Sequence, residues 1–308
     1  MFGAINPAVL IASLMVASVP IMLAALGELV VEKSGVLNLG VEGMMIIGAI
    51  CGFITAVTTG SPLLGFAGGA AGGAALALIF AVLTQSLLAN QVATGLALTL
   101  FGLGLSSLMG QGYNGIKPPL TAAVPFGPLR DIPGLGRILF SHDWVVYFSI
   151  LIIAATWYVL KYTRTGLIIR AVGENHDAAH ALGYKVNRIR LACILFGGAM
   201  AGMGGAYISL IRVPQWTDGI TAGAGWIALA IVVFASWKPW RVLIGAYLFG
   251  GITVLQLNLQ AAGSSIPVEY LSMSPYLITI LVLVIMSSGK GRTLNAPAAL
   301  GQNFHATR

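Results

Sequence analysis

KYTRTGLIIRAVGENHDAAHALGYKVNRIR, residues 161–190, is the longest hydrophilic run in an otherwise oily chain. It carries Lys161, Arg164, Arg170, Lys185, Arg188 and Arg190 against only Glu174 and Asp177. Apolar segments long enough to cross a bilayer lie on both sides of it. Short cation-rich loops are retained on the cytoplasmic side of a membrane, so this stretch sets the orientation of every other segment. Its interior, ENHDAAHAL, places good helix formers between Gly173 and Gly183, which predicts a short helix on the cytoplasmic face. A helix offered to the cytosol in this way implies a docking partner.

Composition supports the membrane reading. Of 308 residues, 57% are apolar and 8% charged, and the mean hydropathy is +0.91. A soluble domain carries about 25% charged residues, so this chain cannot cover a globular surface with water-compatible groups. Forty glycines suit close helix packing in lipid, and Gly48/Gly52, Gly68/Gly72 and Gly198/Gly202 have GxxxG spacing. In so glycine-rich a chain that spacing is a weak signal. The net charge of +7 does not indicate nucleic acid, because the cations sit at the ends of apolar segments and meet lipid headgroups. Cys51 and Cys193 read as small buried hydrophobes, with neither disulfide nor metal spacing. No basic segment precedes the first apolar stretch, so no cleavable leader is expected.

A crossing needs about 20 apolar residues. Nine segments meet or approach that: 7–26, 36–58, 62–89, 92–110, 144–160, 191–211, 222–236, 241–260 and 271–288. They are continuously apolar rather than alternating, which excludes a membrane barrel. The expected class is an all-α polytopic membrane protein of eight to ten transmembrane helices, some broken or re-entrant, with a cytoplasmic coupling helix. Residues 1–308 form one transmembrane domain with no separable soluble part. Residues 111–143 make an extracytoplasmic loop rich in Pro and Gly, partly ordered against the bundle. Residues 161–190 make the cytoplasmic loop, and 289–308 a mobile basic cytoplasmic tail. With nine crossings the N-terminus lies outside, and Lys238, Arg241, Lys290 and Arg292 all fall inside.

Two stretches could carry chemistry. In GELVVEKSGVLNLGVEGMMIIGA, residues 27–49, Asn38, Glu42 and Gly35, Gly40, Gly43 and Gly48 interrupt what would otherwise be a spanning helix. A carboxylate in an apolar span is costly and must face a partner, water or the bundle interior. Broken glycine-rich helices are how many transporters expose backbone beside a substrate route. A plainer reading makes this a helix start, with Asn38 or Ser34 as cap and Glu42 in the first turn. The second stretch is DGITAGAGWIALAIVVFASWKPW, residues 218–240, where Gly219, Gly223 and Gly225 precede a run that barely spans. Trp226 there is either a substrate-stacking ring or, more commonly for such a position, an interface tryptophan.

Other chemistries fit poorly. His176 and His180 are spaced for one helix face but lack a third ligand, and they read as solvated residues on a contact helix. SSGKGR at 287–292 lacks the upstream glycine of a nucleotide-binding loop. There is no GxSxG elbow. The spans hold too few convergent polar groups for an enzyme.

GVLNLGVEGMMIIGA, NQVATGLALTLFGLGLS (90–106), TGLIIRAVGENHDAAHALG (165–183) and GITAGAGWIALA with its following WKP occur in an order that resembles bacterial ABC-importer permeases. The branch is the one for branched-chain amino acids, ribose and nucleosides, and the nucleoside or simple-sugar type is the nearest likeness. The resemblance covers nearly the whole chain. It implies that the cytoplasmic loop is the EAA-type element docking on an ATPase, with Asp177, Ala178, Ala179 and Gly183 at the motif positions. Asp177 departs from the usual glutamate. Arg170, Gly173 and Glu174 belong to the same coupling surface. The resemblance also places Asn38, Gly40, Glu42, Gly223, Gly225 and Trp226 near the translocation path.

The implied partners are a second permease, paralogous or identical, two ABC ATPase subunits, an extracytoplasmic binding protein and the lipid bilayer, with no nucleic acid. This chain binds no cofactor in that scheme, and ATP and Mg are used by the ATPases. The location is the bacterial cytoplasmic (inner) membrane. Branched-chain amino acids are the rival substrate. An ion-coupled secondary transporter is the rival mechanism, and it would depend on Glu42 as its ionisable group.

Overall fold

The structure is a computed structural model that describes residues 7–133, 135–261, 267–287 and 296–305. The apolar runs become helices because a segment in lipid must satisfy its own backbone hydrogen bonds. They are α1 (Pro7–Lys33), α2 (Val41–Thr59), α3 (Pro62–Ala81), α4 (Gln91–Gly110), α5 (Leu135–Leu139) and α6 (Trp144–Tyr162). Then follow α7 (Arg164–Glu174), α8 (His176–Ala181), α9 (Val186–Tyr207), α10 (Ala224–Phe234), α11 (Pro239–Ala261) and α12 (Val268–Ser287). Single π-helical turns, Val82–Ser86 and Ile208–Arg212, extend α3 and α9. Among the described residues the β pairing is an isolated bridge between Ala123 and Asp143.

Among the described residues seven helices are long and apolar enough to cross a membrane: α1, α2, α3, α4, α6, α9 and α11. The apolar helix α12 adds 20 residues, whereas α10 has only 11 and is half a span. These nine segments fall on the nine expected, and α10 is the broken one. The first boundary differs. The chain stays helical to Lys33, and α2 starts only at Val41, so the expected span from 36 loses its first turn to a loop.

At the centre α1, α2, α3 and α9 pack on one another. No hydrophobic effect separates helix from lipid tail, so contact depends on how closely the backbones can approach. Gly48 of α2 faces Gly202 of α9, and Gly202 in turn abuts the Gly69 carbonyl of α3, so a methyl group at Gly202 would collide with backbone. The other spaced glycines also sit at helix contacts: Gly52 on Ala206, Gly68 on Thr55, Gly72 on Cys51 and Gly198 on Ala77. The weak GxxxG signal therefore marks the true packing faces. Leu100 of α4, Leu151 of α6 and Ile244 of α11 point outward, as they can where the solvent is hydrocarbon.

The α1–α2 loop, the α3–α4 turn, α7, α8 and residues 296–305 gather at one end of the bundle. Gly301 donates its N–H to the Gly35 carbonyl (3.1 Å) and Ala299 to the Gly173 carbonyl (2.9 Å). Asn303 Nδ2 donates to the Leu88 carbonyl (2.8 Å). Expected to be loose, 296–305 is instead a strap across this end, because its own Ala299 and Phe304 are buried against the bundle. Residues 289–295 and 306–308, including Lys290 and Arg292, lie outside the described residues.

At the opposite end, the 111–143 loop is ordered by a 3-10 turn (Gly127–Asp131) and α5. Asp143 anchors it, capping α6 through the Val145 N–H (3.0 Å) and accepting from the buried Tyr207 hydroxyl (2.8 Å).

Replacing Gly202 with Ala should destabilise the detergent-solubilised protein by about 1–3 kcal/mol through overpacking. The same change at Gly104, where an added Cβ meets nothing within 4 Å, should be neutral or slightly stabilising. Thermal unfolding of the two variants side by side checks this.

Candidate functional site

The two glycine-broken stretches meet. After Arg212 the chain runs without a spanning helix to Gly223, whose positive φ of 82° turns it into α10. The first N–H groups of α10 have no partner within their own helix. Glu42 supplies one, accepting from the Gly223 N–H (2.9 Å), the Gly225 N–H (2.6 Å) and the Thr221 hydroxyl (2.5 Å). Its carboxylate also lies at the positive end of the α10 dipole. Glu42 is 4% exposed and so is a satisfied buried acid that joins α2 to the half-helix. Only glycine fits at position 225, where a Cβ would meet the Glu42 backbone at 2.5 Å.

Asn38 and Gly40 lie one turn away. The Asn38 N–H and Nδ2 donate to the Glu28 carboxylate (3.2 and 3.3 Å), while its Oδ1 accepts from the Gly40 N–H (2.9 Å). The α1–α2 loop is thereby folded back along α1. Neither Asn38 nor Ser34 caps α2: its N-cap is Gly40, with no side-chain bond, and Ser34 Oγ donates to the Val31 carbonyl. The expected cap fails because both side chains are already committed, whereas Glu42 does stand in the first turn of α2. Trp226 stands apart, 39% exposed and outside the cavity beside Thr221.

That cavity measures about 300 Å³ and is bounded by α1, α10, α11 and α12. Its polar wall holds Thr221, Thr253, Gln256 and Arg212. Phe249 and Tyr276, edge to face at 6.0 Å, supply an aromatic wall. Arg212 also lines a wider cavity of about 570 Å³ with Arg137 and His142, at the end where the 111–143 loop lies.

At the other end, α8 is a six-residue helix capped by Asn175, whose Oδ1 accepts from the Ala178 N–H (2.9 Å). It ends at Gly183, whose φ of +88° is the left-handed turn expected there. Asp177, Ala178, His180 and Gly183 face outward, flanked by exposed Arg170 and Glu174. Ala179 does not: it is 2% exposed and packs with Val172, Val186 and Phe304. Gly173 is likewise internal, lying against the Lys33 carbonyl.

His176 is also buried, so the solvated reading holds only for His180. Both rings contact Phe304 of the strap, at 5.4 and 5.2 Å between centroids. Arg190, fully buried, ties the end together. Its Nε donates to the Ser34 carbonyl (3.2 Å), Nη1 to the Gln302 carbonyl (3.0 Å) and Nη2 lies 3.4 Å from His176 Nδ1. A guanidinium can only donate, so Nδ1 is the acceptor and the imidazole is neutral with its proton on Nε2. Burial lowers the proton affinity of His176, the Arg190 charge lowers it further, and Asp177 at 3.7 Å partly opposes both. No group of three or more potential metal ligands occurs among the described residues.

The family described as branched-chain amino acid transport system / permease component matches residues 10–286. The chain belongs to this permease family. The "Putative glucose ABC transporter permease protein TsgC13" of Haloferax volcanii is 40% identical, covering 94% of this chain and 95% of that one. The nucleoside ABC transporter permease protein NupC of Lactococcus lactis is 33% identical over 96% of each. The guanosine ABC transporter permease protein NupQ of Bacillus subtilis is 34% identical, covering 89% of this permease and 91% of its own length. The permease is thus a multi-pass transport component of ABC type rather than an ion-coupled carrier.

Several residues at these sites were not singled out from sequence. Thr221 stands two positions before a flagged glycine. Arg190 reads from sequence only as a topology charge, and Glu28 shares its stretch with the more conspicuous Glu42. Phe304 carried no signal, since its partners are over 100 residues away.

Glu42→Ala strands three buried donors and should cost about 3 kcal/mol or more. Glu42→Gln, which keeps two acceptor lone pairs, should cost less. Thermal unfolding of the solubilised permease separates them. His176 gives a pH signature. Because its folded proton affinity is depressed, the unfolded state binds more protons below about pH 6.5, and the stabilisation is lost as pH falls from there. Hydrogen exchange over 176–182, corrected for its intrinsic pH dependence, should quicken between about pH 7.5 and 5.5 in the wild type and change far less in His176→Gln.

Proposed function

We propose that this permease forms half of the membrane path of an ATP-driven importer for nucleosides or related simple sugars. The observation that carries the reading is the 33–40% identity to nucleoside and sugar permeases over nearly full length. The cavity beside Glu42 supports it. About 300 Å³ is at the lower end of ligand pockets. An aromatic pair suits a nucleobase or the apolar face of a sugar ring, and Thr221, Thr253 and Gln256 suit hydroxyls and ring nitrogens.

In this scheme a second permease, paralogous or identical, completes the path. Of the two ABC ATPases one docks on α8 and the other on the second permease, and an extracytoplasmic binding protein delivers substrate at the 111–143 end. ATP and Mg act on the ATPases, and this chain binds neither. The setting is the cytoplasmic (inner) membrane of a bacterium. ATP-driven approach of the ATPases pushes α8, Phe304 and Arg190 pass the push to the Ser34–Gly40 loop, and Glu42 passes it to α10 beside the cavity. A second substrate reading, branched-chain amino acids, is favoured by one residue: Arg212 could hold a carboxylate at the cavity.

The test is uptake into proteoliposomes with ATP inside and the ATPase, partner permease and binding protein supplied. Labelled nucleoside should accumulate only with ATP. Ala178→Trp should abolish uptake while leaving thermal stability near wild type, since Ala178 faces outward. Ala179→Trp, by contrast, should damage the fold itself. Leucine uptake that Arg212→Gln eliminates, with no nucleoside uptake, would transfer the assignment to amino acids. Uptake by this chain alone on an ion gradient would overturn the ATP-driven reading.

A further inference from the structure

A pocket of about 520 Å³ opens where α1, α6, α7 and the α10–α11 turn converge. Lys33, Lys161, Arg170, Lys238 and Arg241 line it, with Trp157, Trp237 and Trp240, and no carboxylate does. Glu174 and Glu32 both act on Lys33 as opposite charges. Glu32 is engaged by Trp237 Nε1 (2.5 Å) and Glu174 accepts from the Ala298 N–H (3.4 Å). Lys161 lies over the rings of Trp157 and Tyr162 at 5.1 and 4.9 Å. Arg170 reaches the Gly166 carbonyl (3.4 Å) and Arg241 the Ser236 hydroxyl (3.5 Å). Among the described residues, none of Lys161, Arg170, Lys238 and Arg241 forms an ion pair with a carboxylate. Lys161, Arg170, Lys238 and Arg241 therefore repel one another, and an anion in the pocket relieves that repulsion.

The walls say which kind. Trp157 and Trp240 touch, with centroids 6.0 Å apart, and tryptophans group in this way at the headgroup level of a membrane. From Trp240 an exposed apolar stripe runs into the bundle's hydrocarbon zone along α11 through Ile244 and Leu248. A parallel stripe on α6 runs from Tyr162 through Tyr158 to Leu151. The pocket thus has a cationic chamber at one end and apolar tracks leading from it, the two halves of a lipid.

We propose that this pocket is a binding site for the phosphate headgroup of an anionic glycerophospholipid, whose acyl chains lie along α6 and α11. An acidic protein surface would match the cations but not the apolar tracks. Bound lipid would staple the α10–α11 turn to α7. That turn holds two non-glycine residues at positive φ, Ser236 (49°) and Trp237 (55°), and its conformation needs support. The lipid therefore fastens the cytoplasmic end of the half-helix to the helix that leads into α8.

Native mass spectrometry of the purified permease, with phosphatidylglycerol and phosphatidylcholine added in equal amounts, reads the site directly. Phosphatidylglycerol should be retained preferentially, and Lys238→Gln with Arg241→Gln should cut that preference at least about tenfold. Lys238→Arg should keep it, and so should Lys117→Gln with Arg130→Gln at the far end of the bundle. Equal retention of both lipids by the wild type would overturn the proposal. So would displacement of the bound lipid by millimolar inorganic phosphate, which would make the site one for the free anion. The third overturning result is loss of ATPase co-purification in the Gln double variant without any change in lipid preference, which would assign the pocket to protein docking.

Discussion

A half-helix can begin inside a membrane only if something accepts its first N–H groups, and in this permease that acceptor is the Glu42 carboxylate. Each buried backbone donor left unpaired in hydrocarbon would cost several kcal/mol, roughly the whole margin by which proteins are stable. Glu42 meets three donors at once, and so fixes where α10 starts, how α2 is oriented, and that a cavity remains beside Thr221. The carboxylate is equally dependent on the donors, since a buried charge without them would be prohibitively costly. Neither broken segment is tenable without the other.

Glycine determines whether that geometry can be reached. The α2, α3 and α9 backbones touch at Gly48, Gly69 and Gly202, and this close stack carries α2 to the depth at which Glu42 meets α10. Side-chain packing elsewhere in the bundle is ordinary, with bulky residues such as Phe53, Phe66 and Tyr207 filling the space around the glycine contacts. Polar contacts cluster at the two ends of the bundle and at the Glu42 junction, with Ser209 Oγ also donating to the Ala49 carbonyl midway along α2 (2.9 Å).

At the end of the bundle that carries α7 and α8 the same logic is applied to a surface element. A six-residue helix has little stability of its own, because nucleation consumes most of what its few hydrogen bonds provide. α8 is held instead by its surroundings: Phe304 against two histidine rings, Ala179 in a small apolar nest, and Arg190 bonded to two carbonyls. The outward residues are thereby displayed on a rigid seat, which any proposed transmission of force from an ATPase requires. One guanidinium touches the α1–α2 loop, the strap and α8. These elements are thus linked mechanically as well as by sequence.

By itself the sequence determined the all-α membrane class, the nine segments, the short helix with its glycine turn, and the two stretches that break. These follow from local quantities, namely hydropathy over a window, cation placement and the conformational demands of Gly183 and Gly223. Tertiary structure alone decided that Glu42 is a clamp on α10, that Ala179 faces inward while Ala178 faces out, and that residues 296–305 form a strap. It also decided that Thr221, Arg212, Phe249 and Tyr276 share a cavity. Most of those outcomes depend on partners 27 to more than 200 residues apart, brought together by backbone contacts at glycines whose spacing alone did not distinguish a packing face from abundance. Periodicity reports which side of a helix is oily, but not which other helix that side will meet.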